Sequence, residues 1–287
     1  MKKTVLTLVP TEGLANRMRA WASAIAFTER HGMALNVVWR KCSNNNCLFS
    51  DLFKPLSEAV APHVRLVDGG AAAQWLYDQP MKRNLHLPRL WHALKYGVRI
   101  YFHHMRSIAQ QYEGAAREQH VLNLVGEGDA LVFSCYPLCD YPDALNASVF
   151  RPTDEIEARI QQRAADFAPS MIGVHIRRTD NAMAIKSSPI SLFEHHMRQA
   201  LEQYPGAHFY LATDDERVKR HMEHAFPGKI HTSPAPADRT SAEGMKEAAV
   251  EMFTLARCNH FIGSYYSSFS DMVLALNGAK GLIAKTD

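Results

Sequence analysis

Little in the chain has the pattern of a familiar scaffold. Its five cysteines in 287 residues, Cys42, Cys47, Cys135, Cys139 and Cys258, are an odd number without framework spacing. A disulfide scaffold is therefore not expected, nor a zinc tetrad, since no pair has a second half; reduced and inert thiols are. No apolar run approaches a membrane span, which needs roughly 20 residues. The opening MKKTVLTLVPTEG is basic at its start, but its apolar part reaches only Pro10 before Thr11 and Glu12, too short for a signal peptide. A cytoplasmic location is the expectation. Charge of one sign is also missing: 32 Lys and Arg against 29 Asp and Glu leave +3, too little to argue for nucleic acid. No G-x-x-x-x-G-K-[ST] phosphate loop occurs and no G-x-G-x-x-G follows the first strand, which disfavours an ATPase or a nicotinamide enzyme. An isolated D-x-D between strands, as in metal-dependent sugar transferases, is missing too.

What is present is a composition of 47% apolar and 21% charged residues, ordinary for a globular protein, in a chain long enough for two domains. Short apolar runs alternate with helical stretches. Strands are expected at 5–9, 34–39, 64–67, 130–136, 171–176, 208–212, 229–231, 260–263 and 281–284. A helix is expected from the TEGLANR turn to about Arg30, with Gly32 ending it. Ser191 with Glu194 reads as a capping box, Asp214 or Asp215 as the cap of the next helix, and Ser241 as the cap of the one after. This alternation predicts right-handed β-α-β units and mostly parallel sheets. The Pro-, Asp- and Asn-rich DYPDALNASVFRPTDE is the expected linker, dividing the chain into 1–150 and 151–287.

Between Asp78 and Glu113 there is no acidic residue, while Lys82, Arg83, Arg89, Lys95, Arg99 and Arg106 occur. Leu87, Leu90, Trp91, Leu94, Val98, Tyr101 and Met105 fall near one helical face. Two readings stand: a core-packed helix with a solvated basic face, or a peripheral contact of 82–106 with an anionic acceptor or membrane surface.

In a parallel sheet, ligands sit beyond the carboxyl ends of strands, so the residues there carry the functional information. IGVHIRRTDN places His175, Arg177, Arg178, Thr179 and Asp180 at such an end. FYLATDD places Asp214 and Asp215, and HFIGSYYSSFS places a serine cluster with Ser267 and Ser268. After the first strand come Glu12, Gly13, Asn16 and Arg17. Each has a plain structural reading: helix caps for the aspartates and serines, a turn for Gly13, a satisfied core histidine for His175. Together they suit a nucleoside diphosphate. Arginine binds phosphate oxygens bidentately, N–H groups at a helix start add neutral donors, and a glycine loop admits close approach. Such a set neutralises a diphosphate leaving group without a metal.

HIRRTD (His175 to Asp180), FYLATDDE (Phe209 to Glu216) and EMFTLARCNHFIGSYYSSFS (Glu251 to Ser270) resemble, in order, the three signature stretches of the fucosyltransferase superfamily. That superfamily includes the core α1,6-, the rhizobial nodulation and the protein O-fucosyltransferases. The resemblance covers roughly residues 170 to 275 and the first loop. It implies a GT-B type glycosyltransferase, with two Rossmann-like domains, a cleft between them, and GDP-fucose held mainly by the C-terminal one. The reaction implied is inverting and metal-independent. Arg177 would contact the β-phosphate, His175 lie near the nucleoside, Glu251 read guanine, and Ser267 and Ser268 meet the phosphates. PTEGLANR resembles the E-G-x-N-x-R loop of the protein O-fucosyltransferases, which makes Glu12 the candidate general base. Asp180 is expected to orient Arg177 or Arg178. The chain departs from the α1,6 branch in having Asn181 and Ile185 where that branch has a lysine and, four residues on, a glutamate. Glu251 stands where an aspartate is usual, which leaves the donor sugar nucleotide open. A non-catalytic sugar-nucleotide or glycan-binding module is the alternative of another class.

Overall fold

Alternating apolar runs and helices give, in each half of the chain, a five-stranded sheet whose paired strands are all parallel. The computed structural model describes residues 3–77, 87–97, 99–101, 104–168, 170–179, 182–233 and 238–286. They divide into two compact units, Met1–Arg151 and Pro152–Asp287. Asp180, Asn181, Lys82 and Arg83 lie outside the described residues.

In chain order unit 1 runs β1 (Val5–Pro10), α1 (Leu14–Arg30), β2 (Ala34–Trp39), β3 (Val64–Asp68), α2 (Ala71–Leu76) and α3 (Leu87–Tyr96). It continues through β4 (Ile100–Tyr101), α4 (His104–Gln111), α5 (Gly114–Val125), β5 (Ala130–Ser134) and α6 (Ala144–Val149). The sheet order is β3-β2-β1-β5-β4. Strand side chains alternate between faces. Val9, Val38, Leu131 and Phe133 pack with Tyr96 and Trp91 on one side, where the Tyr96 hydroxyl also donates to Thr7 Oγ1 at 3.1 Å. On the other side Trp39 meets Trp21 of α1, within a buried aromatic cluster completed by Phe49, Phe53 and Phe150. Helix α1 ends as its sequence implies. Gly32, at φ 64, lets Met33 N–H reach Thr28 O and its own N–H reach Glu29 O.

Unit 2 comprises α7 (Asp154–Ala164), β6 (Met171–Ile176), α8 (Ala182–Ser187), α9 (Ile190–Gln203), β7 (His208–Thr213) and α10 (Glu216–Ala225). It ends with β8 (Ile230–Thr232), α11 (Ala242–Ala256), β9 (His260–Ser264), α12 (Ser268–Leu276) and β10 (Gly281–Ala284). Its order β10-β9-β6-β7-β8 is that of a Rossmann half, with the switch point between β6 and β9. Ile172, Val174 and Ile176 pack with Phe209, Leu211 and Ile262 against Phe193, Met197, Val218 and Met222 of α9 and α10. The alternate residues face α11 and α12: a Cβ on Gly173 would come within 3.1 to 3.3 Å of Leu255 and Cys258, tighter than ordinary contact, so the glycine eases the close approach of that helix.

Three expectations are corrected. The 87–105 stretch is not one helical face. Ile100–Tyr101 is a strand paired with β5, and Leu90 and Leu94 are 55% and 80% exposed while His92 and Tyr96 are buried. A helix carried through Ile100 would have left the edge of the sheet unpaired. The expected linker contains α6, whose Val149 is fully buried, as is Phe150; the chain leaves unit 1 only after Arg151, which accepts from Lys54 N–H at 2.8 Å. The Ser191–Glu194 capping box does not form. Pro189 is the N-cap of α9, and Glu194 instead pairs with His221 and Arg198. All five cysteines are free, and burial pushes the Cys47, Cys139 and Cys258 thiols up to about 12.

All four tryptophans, Trp21, Trp39, Trp75 and Trp91, lie in unit 1, so their fluorescence reports its unfolding alone. Phe150→Ala is expected to cost about 3–5 kcal/mol, as for other fully buried aromatics. The urea midpoint of the fluorescence transition should fall accordingly.

Candidate functional site

The carboxyl ends of β6, β7 and β9 meet around one carboxylate. Asp214, which follows β7, accepts from Arg178 N–H at 2.7 Å, from Thr179 N–H at 3.4 Å and from the Thr179 hydroxyl at 2.8 Å. Its Oδ2 also lies 3.1 Å from Nε of Arg177. The turn after β6 is thereby pinned to the neighbouring strand. From the other side Ser264, the last residue of β9, accepts from Arg177 N–H at 2.9 Å and donates to His175 O at 3.1 Å. Arg177 is thus fixed at both its backbone and its side chain, at the switch point.

The second arginine does something else. Arg178 turns into the unit, where Nη2 donates to Ser188 O at 2.6 Å and the guanidinium stands 6.0 Å from the Phe193 ring centre. Its Nε and Nη1 are buried with no hydrogen-bond partner among the described residues, and burial lowers its pKa below the usual guanidinium value. The paired arginines therefore do not form one fork on an anion. Asp215 is the N-cap of α10: it accepts from Arg217 N–H at 2.8 Å and pairs with the Arg217 guanidinium, whose hydrogen bonds hold its carboxyl below the ordinary range.

His175 is 6% exposed, its Nδ1 is 2.8 Å from Ser270 Oγ, and its ring stands 4.6 Å from Phe269. Burial drives its pKa down to about 3, with the charges of Arg177 and Arg239 acting the same way against Asp214. The imidazole is neutral at every physiological pH. Ser270 Oγ also accepts from Ser264 N–H at 2.9 Å, linking His175 to the β9 exit. Ser267 caps α12 by accepting from Ser270 N–H at 3.4 Å, and Ser268 begins the helix. The hydroxyl of Ser267 is therefore engaged in the fold, and the start of α12 lies beside the β6 turn. Tyr266 precedes it in a left-handed conformation, φ 55, with its side chain 55% exposed.

Glu251 is grouped differently. It sits half-buried on α11, and burial, then the charge of Glu247, pushes its carboxyl up to about 7 against Arg163 and Lys219. Burial acts on Glu247 in the same sense, but its pairing with Arg163 at 2.7 Å and the Ser233 hydroxyl at 2.6 Å outweighs it and holds that carboxyl low. Glu251's electrostatic neighbours are thus unlike those of His175.

Unit 1 has its own strand-end site, a cavity of about 350 Å³ beyond β1 and β2 lined by Glu12, Arg17, Arg40, Cys42 and Asn44 among others. Glu12 carries φ 64, a left-handed conformation that L side chains adopt at a cost. Two contacts hold it: its carbonyl accepts from Arg17 Nε at 2.7 Å, and its carboxylate from Asn44 Nδ2 at 3.0 Å. Arg17, 2% exposed, also donates to Arg40 O at 2.6 Å, contacts Cys42 Sγ at 3.0 Å and lies over Trp39 at 5.2 Å. Its guanidinium braces the loop from within. The expectation for Gly13 changes: φ −69 and ψ 169 are open to any residue, and a Cβ there would meet nothing nearer than Asn44 O at 3.9 Å. The backbone strain falls on Glu12 instead. Asn16 is partly buried in the first turn of α1.

Ser264 and Ser270 belong to the serine cluster expected after β9, though without a role of their own; Arg239 and Asn44 were not singled out from the sequence. Asn44 lies in KCSNNNC, just past the end of β2, so the strand-end rule applied to that strand would have found it.

No protein-family model matches the chain, and no curated protein matches it. Solved structures do. An α1,6-fucosyltransferase, NodZ, soaked with GDP-fucose is 20% identical, with a TM-score of 0.61 over 96% of this chain and 93% of that one. The NodZ fucosyltransferase from Bradyrhizobium is 19% identical with a TM-score of 0.60, covering 95% and 93%. POFUT1 in complex with GDP-fucose is 12% identical with a TM-score of 0.57, covering 99% and 96%. The likeness is one of fold: the chain shares with these structures the GT-B type fold, with its two Rossmann-like units, that its motifs led one to expect.

Glu251 yields a pH prediction. An acid raised from 4.5 to about 7 in the folded state supports folding most at low pH, and that contribution is lost as pH rises from about 4.5 through about 7. Glu251→Gln should therefore raise the melting temperature by a few degrees at pH 8, with the gain shrinking towards pH 5. Calorimetric scans at the two pH values measure it.

Proposed function

We propose that the protein is a glycosyltransferase that moves fucose from GDP-fucose to a hydroxyl of a glycan or related acceptor, inverting the anomeric centre without a metal. The observation that carries the reading is the fixing of Arg177 at the β6–β9 switch point by Asp214 and Ser264. A partly buried carboxylate spent on two peptide N–H groups and one arginine edge is an expensive way to shape a turn. It is intelligible if the turn must present a cation to a diphosphate. The start of α12, beside that turn, adds peptide dipoles of the right sign.

In this reading Arg177 and the α12 N-terminus neutralise the GDP leaving group as the glycosidic bond to phosphate breaks. Glu12 takes the proton from the acceptor hydroxyl as it attacks the anomeric carbon. The left-handed backbone and the hydrogen bond from Asn44 fix the direction of that carboxylate. His175, neutral and buried, serves as shape and hydrogen-bonding capacity rather than as a proton carrier. Arg178 acts through the turn it anchors.

One observation favours a second donor. A guanine reader must present an ionised carboxylate to two N–H groups, whereas Glu251 is held near pKa 7 beside Glu247. A different nucleoside diphosphate sugar in the same fold would not need that contact.

Isothermal titration of GDP, GDP-fucose, GDP-mannose and UDP-glucose without added metal decides between them. GDP and GDP-fucose are expected to bind in preference to UDP-glucose. Arg177→Ala should lose about tenfold or more, the worth of one charge-assisted contact. Equal affinity in the variant would refute the assignment of Arg177, and selective UDP-glucose binding that of the donor.

With donor and acceptor supplied, Glu12→Gln should lower the transfer rate by about 10²- to 10⁴-fold while leaving GDP affinity unchanged. A rate within a few fold of the parent would remove Glu12 from the chemistry.

A further inference from the structure

Unit 2 holds a second cavity, of about 530 Å³, at the opposite end of its sheet. Its floor is Ile172, Ile262 and Leu282, close to the starts of β6, β9 and β10. From Ile172 to Arg177 is five residues of strand, roughly 16 Å, so an occupant here does not touch the turn at Arg177. One wall is a stripe of α9 with helical spacing, His196, Gln199 and Gln203, with Tyr204 following where the helix stops.

The chemistry of this lining is selective. No Asp, Glu, Lys or Arg contributes to it, although charged residues make up 21% of the chain. The polar rim consists of amides, imidazoles and hydroxyls. A phosphate or carboxylate would find no lysine or arginine there, which disfavours nucleotides and acidic peptides. A wholly apolar ligand would strip water from the amides and imidazoles without replacing it. Groups that both donate and accept are what a hydroxyl needs, and amides and neutral imidazoles have both capacities while ammonium, guanidinium and carboxylate groups have one. An apolar floor and a Tyr204 ring that is 51% exposed suit the C–H face of a pyranose. The volume lies within the ordinary range for small-ligand pockets, roughly 300 to 1,000 Å³, and holds one or two sugar rings.

We propose that this cavity binds a neutral saccharide, one or two rings long, with its apolar face on Tyr204 and the floor and its hydroxyls on the glutamine and histidine rim. The assignment stands independently of the transferase reading. If that reading holds, the site grips a part of a glycan that is not reacting.

Saturation-transfer NMR on the full chain tests it, with neutral probes: methyl glycosides of glucose, galactose, mannose, fucose and N-acetylglucosamine, and the disaccharides lactose and diacetylchitobiose. At least one should bind with a dissociation constant of about 1 mM, the range that ligand efficiency gives an open pocket. Tyr204→Ala and Gln203→Ala should each weaken it several-fold to about tenfold. Both side chains are exposed, so the variants keep the fold. Saturating GDP and Arg177→Ala should leave this binding as it is, which separates it from the donor site. The proposal is overturned if no probe binds in a Tyr204-dependent way, or if GDP displaces the sugar. It is also overturned if an apolar peptide binds at Tyr204 while every glycoside fails, which would make the cavity a protein-docking site.

Discussion

A parallel strand ends by delivering peptide groups to a place where the next helix has not yet begun, and those groups must be held by something. In unit 2 that something is the Asp214 carboxylate. It takes the N–H groups of Arg178 and Thr179 and the Nε edge of Arg177, so one side chain fixes the register of the turn, the direction of its cation and the seam between β6 and β7. Without it, the peptide N–H groups of Arg178 and Thr179 would lose the acceptor that holds the turn.

The arginines of the two strand-end sites divide by what surrounds them. Arg17 and Arg178 spend their donors on main-chain carbonyls, Glu12 and Arg40 for one and Ser188 for the other, and both lose some basicity through burial. They are part of the scaffold. Arg177 instead stands on a turn whose own peptide groups are satisfied by Asp214 and Ser264, so that its position does not depend on a ligand. Preorganisation of this kind is what allows a charge to act without reorganising when a leaving group departs. The same division holds in unit 1, where Arg17 braces the loop through the Glu12 carbonyl and the Glu12 side chain lines the cavity.

Most strands could be read from the sequence because a strand covered on both faces is nearly continuous in apolar residues, as Met171–Ile176 is. Caps with a single local cause were also legible: Asp215, Ser241 and Gly32 act where the spacing placed them. Ser191 was misread because a capping box is a local pattern and Glu194 found a better partner in His221, 27 residues away. The 87–105 stretch was misread because helical periodicity cannot register a two-residue strand whose only cause is the open edge of β5. For the site, strand ends told where to look, but not which way each side chain turns. Adjacent arginines look alike in HIRRTD; that Arg178 turns inward depends on Ser188 and Phe193, which no local spacing indicates. Likewise Gly13 drew attention by being glycine, while the left-handed residue is its neighbour Glu12.

The two sheets differ in the order in which synthesis supplies their strands. Unit 2 begins with its middle strand, β6, and adds β7 and β8 outward on one side and β9 and β10 on the other, so each new strand meets an edge already made. Unit 1 does not. Its central seam joins β1 to β5, with Thr7 beside Leu131, and the edge strand β4 is made before the strand it pairs with. During translation the β3-β2-β1 half-sheet must therefore wait, with one side of β1 open, until β5 leaves the ribosome. At about 5–20 residues per second that interval, the roughly 60 residues between Asp68 and Ala130, lasts several seconds. In that period an open strand edge is exposed to pairing with the wrong strand, and the acid-free 79–112 segment, with its Lys and Arg, places like charges on about half of the stretch still being made.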